Sequence, residues 1–239
     1  MNFFPLLSSI ISAVFAFLLA VQYLQRRKKH QLIWTISLVM FFLATFLEFF
    51  AEYTYQISPS GTGWNELTYK LYYVLTPVMV ALMGTGALYL LTHLPVGKYF
   101  LSYTIILTVP FFVLSFAFPL GDALQKAVVE AGSTEIGGAA MPSNVRIFSP
   151  LFTIPGGLAI IGGALYSFWL DKTRKYNLLI ALGGLFPFLG GLKTRFGDPT
   201  YFYLLETIGT VLLFAGFVLS WEYTRSRKTG KIETSQKIV

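Results

Sequence analysis

Two glutamates, Glu48 and Glu206, lie inside long apolar stretches of the chain, where an ionisable side chain is unusual. If those stretches are membrane-spanning helices, a rise of roughly 1.5 Å per residue places both carboxyls roughly 6–8 Å inside a hydrocarbon core about 30 Å thick. Lys193 falls at a similar depth, Arg195 lies just above it, and Lys70 begins another apolar stretch. Because a charge that faces lipid at this depth is costly, we predict that Glu206 pairs with Lys193 or Arg195, and Glu48 with Lys70 or a tyrosine hydroxyl.

These charged side chains predict a ligand-binding pocket that opens to the outer side of the membrane, with Tyr73 in its lining. Four more tyrosines fall at the same level: Tyr69, Tyr72, Tyr201 and Tyr203. An alternative interpretation remains open for part of this set. Tyrosines at that level are typical of the aromatic belt at a membrane surface, and Lys70 and Arg195 can extend to water along their apolar stems.

Proline and glycine mark the later apolar stretches. Proline occurs inside four successive predicted helices, at Pro77, Pro110, Pro155 and Pro187. Two glycine pairs occur in each of the fifth and sixth, and one residue of each pair lies seven positions from a residue of the other pair: Gly156-Gly157 with Gly162-Gly163, and Gly183-Gly184 with Gly190-Gly191. Such small surfaces favour close packing between the fifth and sixth helices. The alternative is a hinge or an unwound binding site at Pro155, Gly156, Gly157 and Pro187.

Most familiar catalytic chemistries lack their residues in this chain. The chain has no cysteine, which excludes disulfides, thiol catalysis and thiolate metal sites. It has no HExxH motif, no paired aspartates of a metal-dependent transferase, and no GxSxG setting for a serine nucleophile. The two histidines, His30 and His93, lie at predicted helix ends without a third ligand for zinc. We therefore predict a non-enzymatic protein without a metal or cofactor, while an intramembrane enzyme of an unrecognised type stays open.

The composition requires a bilayer as solvent. Of the 239 residues, 55% are hydrophobic and only 12% are charged, whereas about a quarter of an ordinary soluble domain is charged. The apolar runs are continuous and near the ~20 residues that a spanning helix needs, unlike the alternating ten-residue strands of a membrane barrel. The fold class predicted is therefore all-α, with seven transmembrane helices. They are placed at residues 3–24, 31–53, 71–92, 99–118, 147–170, 176–192 and 201–221.

The basic residues predict the orientation. With the amino terminus outside, most of the 18 lysines and arginines fall in cytoplasmic segments, beginning with the run Arg26-Arg27-Lys28-Lys29. The positive-inside rule therefore predicts an external amino terminus and a cytoplasmic carboxyl terminus. Topology also accounts for the net charge of +7, so we expect no nucleic-acid partner.

The chain reads as one transmembrane domain over residues 1–224, followed by a short basic cytoplasmic tail, residues 225–239, suited to anionic lipid. Its one long loop, residues 119–146, is predicted to lie outside. Within it, residues 122–131 predict a short helix that Asp122 caps and Gly132 ends. An apolar face on this helix would let it lie on the membrane surface, although an ordinary connecting loop is an equal alternative.

Several segments carry a family resemblance. They are Tyr69-Lys70-Leu71-Tyr72-Tyr73, Gly84-Thr85-Gly86-Ala87-Leu88-Tyr89-Leu90-Leu91, Val145-Arg146-Ile147 with Pro150, Gly162-Gly163-Ala164-Leu165-Tyr166-Ser167, and Leu205-Glu206 through Phe214-Ala215-Gly216-Phe217. In them the chain resembles a family of prokaryotic seven-helix membrane proteins of unknown activity. The layout is also similar to the seven-helix sensor region of some histidine kinases, although no kinase domain is present here. The resemblance implies a multi-pass protein of a prokaryotic plasma membrane.

Together these features predict a membrane protein that binds a small polar or amphipathic ligand through an outward-facing pocket, as a transporter or a sensor. A sensor would also need a cytoplasmic signalling partner, and membrane lipids surround either type. A structural or scaffold protein that acts through a partner is the alternative.

Overall fold

In the computed structural model, the described residues are 2–58, 61–91, 95–196 and 201–236. The side chains of Arg195 and of residues 225–236 lie outside this description, as does His93. The described chain is all-helical, with 84% helix and no strand, which confirms the predicted fold class. The helices are α1 (Phe4–Arg26), α2 (Lys29–Ile57), α3 (Glu66–Leu91), α4 (Val96–Ala117), α5 (Ala123–Ala131), α6 (Ser143–Arg146), α7 (Phe148–Leu170), α8 (Tyr176–Arg195) and α9 (Phe202–Gln236).

Seven of these elements are long and apolar enough to cross a membrane, as the sequence predicted. The fifth span begins four residues before the predicted start, because the short helix α6 leads directly into α7. The third begins at Glu66, since Glu66 forms an ion pair with Lys70 one turn later. The helix α9 continues through residue 236, so most of the predicted tail is a helical extension of the last span.

Six of the spanning helices form a closed ring. Going round it, each of α1, α2, α3, α7, α8 and α9 packs against the next, and α9 returns to α1. The helix α4 stands outside this ring, against α3, with a narrow edge of contact to α6 and α7. Because α1 packs between α2 and α9 in the ring, the inward faces of α2 and α9 approach each other in the interior. This places Glu48 and Glu206 together.

One end of the ring is covered by the residues between α4 and α6, and we call it the loop end. Leu124, Ala127 and Val128 of α5 are buried in the same apolar cluster as Trp64 and Tyr69 at the loop end. The predicted short helix is confirmed, but its apolar face packs on the bundle rather than on the membrane surface. Burial against aromatic rings removes that face from solvent without the help of lipid.

Of the two predicted ends of α5, the structure confirms the C-terminal glycine but not the N-terminal cap. Gly132 ends the helix in the left-handed conformation, with φ of 64°, as predicted for a C-terminal glycine. Asp122 occupies the N-terminal cap position, but its side chain makes no capping hydrogen bond. The backbone of Asp122 is itself near-helical, with φ −76° and ψ −8°, and this differs from the extended conformation typical of a capping residue.

The glycine pairs pack differently from the prediction. A Cβ on Gly156 of α7 would lie 2.7 Å from the Val80 carbonyl oxygen of α3, and one on Gly183 of α8 would lie 2.9 Å from the Gly209 carbonyl oxygen of α9. The closest backbone approaches therefore join α7 to α3 and α8 to α9, and only Gly157 and Gly184 face across the predicted α7–α8 boundary. A glycine pattern indicates a small face but not the helix that occupies it.

The prolines do not unwind the helices. Pro155 lies inside a continuous α7 and Pro187 inside a continuous α8. The expectation of an unwound segment is therefore wrong for this conformation. The Leu151 carbonyl oxygen, which Pro155 leaves without its helical N–H partner, accepts a hydrogen bond of 2.8 Å from the Tyr103 hydroxyl of α4. A hinge movement at these positions stays a prediction.

Candidate functional site

The interior of the ring contains two carboxyls from helices that are far apart in sequence. Glu48 of α2 has only 1% of its side chain exposed and Glu206 of α9 only 4%. The two carboxyls interact directly, and the Tyr72 hydroxyl of α3 also reaches Glu48. We refer to Glu48 and Glu206 as the carboxyl pair.

The carboxyl pair is short of hydrogen-bond donors. Neither oxygen of Glu48 has a well-formed hydrogen-bond partner among the described residues, and neither has Oε2 of Glu206. Two ionised carboxylates only accept hydrogen bonds, so they bond to one another only when one of them carries a proton. The geometry thus presents buried acceptor oxygens that a proton or a ligand can satisfy.

A line of oxygen atoms leads from the carboxyl pair toward the loop end. Tyr203 of α9 lies within electrostatic range of Glu48, without a hydrogen bond between the two, and its hydroxyl lies 3.2 Å from the Thr134 Oγ1. Thr134 in turn donates a hydrogen bond of 2.8 Å to Oε2 of Glu52. Because a threonine hydroxyl has one proton to donate, the Tyr203 hydroxyl is the donor to Thr134. The hydroxyls therefore point from the carboxyl pair toward Glu52.

Glu135 lies at the outer limit of this line, in the segment after α5. Its carboxyl accepts hydrogen bonds from the backbone N–H groups of Phe202 and Tyr203 at the start of α9, and from the Asn2 side chain at 3.3 Å. Burial, together with the nearby carboxylate of Glu52, raises the pKa of Glu135 to about 7. Glu135 therefore changes charge close to neutral pH.

A cavity of about 790 Å³ lies beside the carboxyl pair, between α3, α7, α8 and α9. Its charged lining residues are Glu206 and Arg146, and both belong to the half nearer the loop end. The deeper lining is apolar, and includes Ile160 and Leu213. From Phe202 to Leu213, both in the lining, α9 rises roughly 16 Å, so the cavity is elongated. It has a polar end and an apolar end.

The cavity reaches the surface of the bundle along α7 and α8. Three of its lining residues are strongly exposed: Ile147 at 59%, Ile154 at 48% and Phe196 at 80%. Apolar side chains in this position face lipid when the bundle is in a membrane. The opening therefore connects the cavity with the surrounding bilayer rather than with water alone.

The structure distributes the predicted site residues over several places. Glu206, Tyr73, Gly157 and Pro187 line the cavity, whereas Glu48 lies beside it in the carboxyl pair. Pro155 and Gly156 are not in the lining that the structure describes; Gly156 instead contacts α3. The prediction for Arg195 concerns a side chain outside the part of the chain that the structure describes.

Among the described side chains, neither Lys70 nor Lys193 forms an ion pair with Glu48 or Glu206, and the predicted pair of Glu206 with Arg195 lies outside this description. Lys70 binds Glu66, one turn away on the same helix, with an N–O distance of 2.5 Å. The Lys193 ammonium lies 5.6 Å from the centre of the Tyr201 ring. Of the predicted partners of Glu48, a tyrosine hydroxyl is the one that the structure brings near, from Tyr72. Depth along a helix predicts which groups share a level, but not which way each one faces.

Sequence reasoning missed Arg146, Thr134 and Glu135. The position of Arg146 just before the fifth predicted span is a sequence signal that could have indicated a role at a pocket entrance. Thr134 and Glu135 lie in the loop that covers the ring, and no periodic pattern indicates where such a loop folds. Over the described part of the chain, no three histidine, aspartate or glutamate side chains converge as a metal site would require.

In comparisons with known proteins, no family model, no curated protein and no solved structure matches the chain.

Proposed function

We propose that this membrane protein binds an amphipathic molecule, with its apolar part in the deep half of the cavity and a hydrogen-bond-donating or cationic group against Glu206. The carrying observation is the buried Oε2 of Glu206, which has no hydrogen-bond partner among the described residues and belongs to a lining residue of the cavity. A buried acceptor without a donor is costly, and a ligand ammonium or N–H group relieves that cost.

The shape of the cavity supports an amphipathic ligand over a fully polar one. A volume of about 790 Å³ lies within the usual range of small-molecule sites, roughly 300–1,000 Å³. The polar end lies near the loop end and the apolar end lies deeper, which matches the order of head and tail in a membrane leaflet. The opening between α7 and α8 suits a ligand that enters from lipid. Arg146 offers a second charge, for an anionic group on the same head.

We infer that the loop end faces the outside of a prokaryotic plasma membrane and that the carboxyl terminus is cytoplasmic. The distribution of lysine and arginine supports this orientation, and the family resemblance supports the compartment. In this orientation the polar end of the cavity lies in the outer half of the bilayer, so the pocket is outward-facing.

We further propose that the protein does not transform its ligand but transports it or senses it. The lining combines one carboxylate and one guanidinium with hydroxyls and apolar groups, and no nucleophile–base arrangement accompanies them among the described residues. The hinge at Pro155, Gly156, Gly157 and Pro187 would move one wall of the cavity in either role. A sensor would in addition contact a cytoplasmic signalling partner through residues 26–29 and 171–175.

Binding can be tested with octylamine as the probe and octanol as its uncharged match. In purified protein in nanodiscs, we expect Glu206→Gln to weaken octylamine binding about 10- to 150-fold, from the loss of a charge-assisted hydrogen bond worth about 1.5–3 kcal/mol. Octanol binding should change little. Glu222→Gln is the matched control. Glu222 lies on the same helix but is exposed, near the opposite end of its membrane-spanning part. Equal octylamine binding by all three proteins would overturn the proposal.

A second pair of variants tests the cavity itself. A Cβ on Gly191, which lines the cavity, and one on Gly162, an exposed position of α7 outside it, would each meet no atom within 4 Å. Gly191→Phe should therefore occupy the cavity and abolish binding of both probes, whereas Gly162→Phe should not. Flux of labelled octylamine into reconstituted vesicles, with the same variants, separates transport from sensing; binding without flux assigns the sensor.

A scaffold role requires no occupied cavity. Mass spectrometry of the protein purified with its bound molecules would identify a natural ligand, or a cavity that holds bulk membrane lipid without selection. In the second case, together with normal function of Glu206→Gln in cells, the scaffold alternative would replace the binding proposal.

A further inference from the structure

The carboxyl pair lacks the partner that a buried charge requires. Neither oxygen of Glu48 nor Oε2 of Glu206 has a well-formed hydrogen bond among the described residues, and both side chains are more than nine-tenths buried. One unpaired buried carboxylate is costly, and two adjacent ones also repel each other. A single proton shared between them removes the repulsion and supplies a hydrogen bond at the same time.

The surroundings of the carboxyl pair favour this arrangement. The titratable groups that act on the carboxyl pair from the neighbouring elements are Tyr72 of α3, Tyr203 of α9 and Glu135 of the loop. All three are carboxyls or phenols, which cannot neutralise a carboxylate when ionised. Arg146 of α6 lines the same cavity as Glu206. Lys193 lies over the ring of Tyr201, and Lys70 of α3 is bound to Glu66. The helix α1, which packs on both α2 and α9, has its titratable side chains, Tyr23 and Arg26, at its opposite end.

The hydrogen bonds from Tyr203 through Thr134 to Glu52 provide a way for the proton to leave when the Glu48 carboxyl turns to bond the Tyr203 hydroxyl. The Tyr203 and Thr134 side chains are each 1% exposed, and Glu52 is 8% exposed. Oε1 of Glu52 accepts a hydrogen bond of 3.1 Å from the backbone N–H of Asn2, next to the amino terminus. The line thus runs from the buried interior to the partly exposed residues of the loop end.

We propose that Glu48 and Glu206 together form a proton-binding site that exchanges with the loop end through Tyr203, Thr134 and Glu52. Where a cationic group enters the cavity, it binds Glu206 and displaces the shared proton; this second statement rests on the function proposed above. Proton and ligand then compete for one buried negative charge.

The exchange balances in charge and in protons. With an empty cavity the carboxyl pair holds one proton and one negative charge. When an ammonium group binds, the carboxylic acid O–H bond breaks and the proton passes to water at the loop end. Two carboxylate charges then face one ammonium, so the net charge of the site stays at minus one. Hydroxyl groups along the line each accept one proton and pass on another, and are unchanged afterwards.

The first experiment is infrared spectroscopy of the full chain in nanodiscs without added ligand. At neutral pH we expect the C=O stretching band of a protonated carboxyl, and we expect Glu48→Gln and Glu206→Gln each to remove it or shift it. Glu222→Gln should leave it unchanged. A wild-type protein with no protonated-carboxyl band that depends on either residue would overturn the proposal, and this readout does not require either variant to bind anything.

The second experiment measures proton release on addition of octylamine in weak buffer. We expect about one proton per bound octylamine and none with octanol. If the infrared band is present but octylamine does not bind, the function proposed above fails and the proton site stands. If octylamine binds without proton release, the competition fails and the binding function stands.

The route has its own test in the rate of hydrogen–deuterium exchange of the infrared band. Thr134→Val removes the hydroxyl link between Tyr203 and Glu52, so we expect exchange to slow at least tenfold while the band persists. Thr54→Val is the control, because the Thr54 hydroxyl is outside the line and bonds only the Phe50 carbonyl oxygen. An unchanged rate in Thr134→Val would refute this route.

Discussion

A close backbone contact between spanning helices joins α3 to α7 and makes a sharp stability prediction. A Cβ on Gly156 would lie 2.7 Å from the Val80 carbonyl oxygen and 2.8 Å from the Ala81 Cα, and ordinary contact begins at 3.4 Å. The helices would have to separate by roughly 0.7 Å to admit one methyl group. Because the opposing atoms are backbone rather than side chain, we expect Gly156→Ala to cost about 3 kcal/mol, the upper end for overpacking.

The matched control lies on the same helix. A Cβ on Gly162 meets nothing within 4 Å, so Gly162→Ala should leave stability unchanged or raise it by up to about 1 kcal/mol through helix propensity. Gly84→Ala addresses the same contact from α3, where a Cβ would lie 2.6 Å from the Gly156 carbonyl oxygen. Since both substitutions force the same separation, the double variant should cost less than the sum of the two.

The assay is reversible unfolding in mixed micelles, followed by circular dichroism. Displacement of α7 also moves a wall of the cavity, so Gly156→Ala should weaken octylamine binding as well. If Gly156→Ala unfolds at the same denaturant fraction as Gly162→Ala, the α3–α7 contact is not as close as described, and the argument from backbone approach fails.

Two further predictions concern the loop end. Glu135 has its pKa raised from 4.5 to about 7, so the folded protein holds a proton there that the unfolded chain releases; the stabilising contribution is complete below pH 4.5 and is lost as pH rises through about 7. We expect unfolding free energy to fall by on the order of 1–2 kcal/mol over this range, reduced by partial exposure, with no such fall in Glu135→Gln. Glu130→Gln on α5 should keep the fall, and a pH-independent wild type would contradict the assignment. For orientation, the absence of native cysteine permits single labels: Gln125→Cys should react with an impermeant maleimide on intact cells, and Thr224→Cys only after permeabilisation. The reverse pattern would invert the topology.

The spanning helices could be predicted from sequence because bilayer thickness dictates their length and composition. The ring order could not, since apolar faces of similar character fit several neighbours. For this reason the sequence predicts Lys193 or Arg195 beside Glu206, and Lys70 or a tyrosine hydroxyl beside Glu48, but it does not predict that the two glutamates meet. The ion pair of Lys70 with Glu66 could have been predicted from the sequence, because a separation of four residues on one helix places both side chains on one face.

The cavity, and the loop between α4 and α6 that covers the loop end, were harder to predict from the sequence. The composition of the apolar face of α5 is equally suited to a membrane surface and to a protein surface. Only the folded structure shows that this face packs on the bundle. Thr134 and Glu135 reach Glu52, Tyr203 and Asn2 because the loop folds back over the ring. Such long-range hydrogen bonds have no counterpart in local periodicity.

The position of α4 outside the ring has a consequence for how the molecule tolerates stress. Its buried side is limited to Gly97, Thr104, Phe111 and Ser115, while the six other spanning helices enclose the interior without its help. On mild detergent challenge, α4 should separate first. Tyr73, Phe148 and Phe152 would then lose the ring of Phe111, and the Leu151 carbonyl oxygen would lose the Tyr103 hydroxyl. Unfolding would begin at α4, and the carboxyl pair would stay enclosed by the other six spanning helices after α4 had separated.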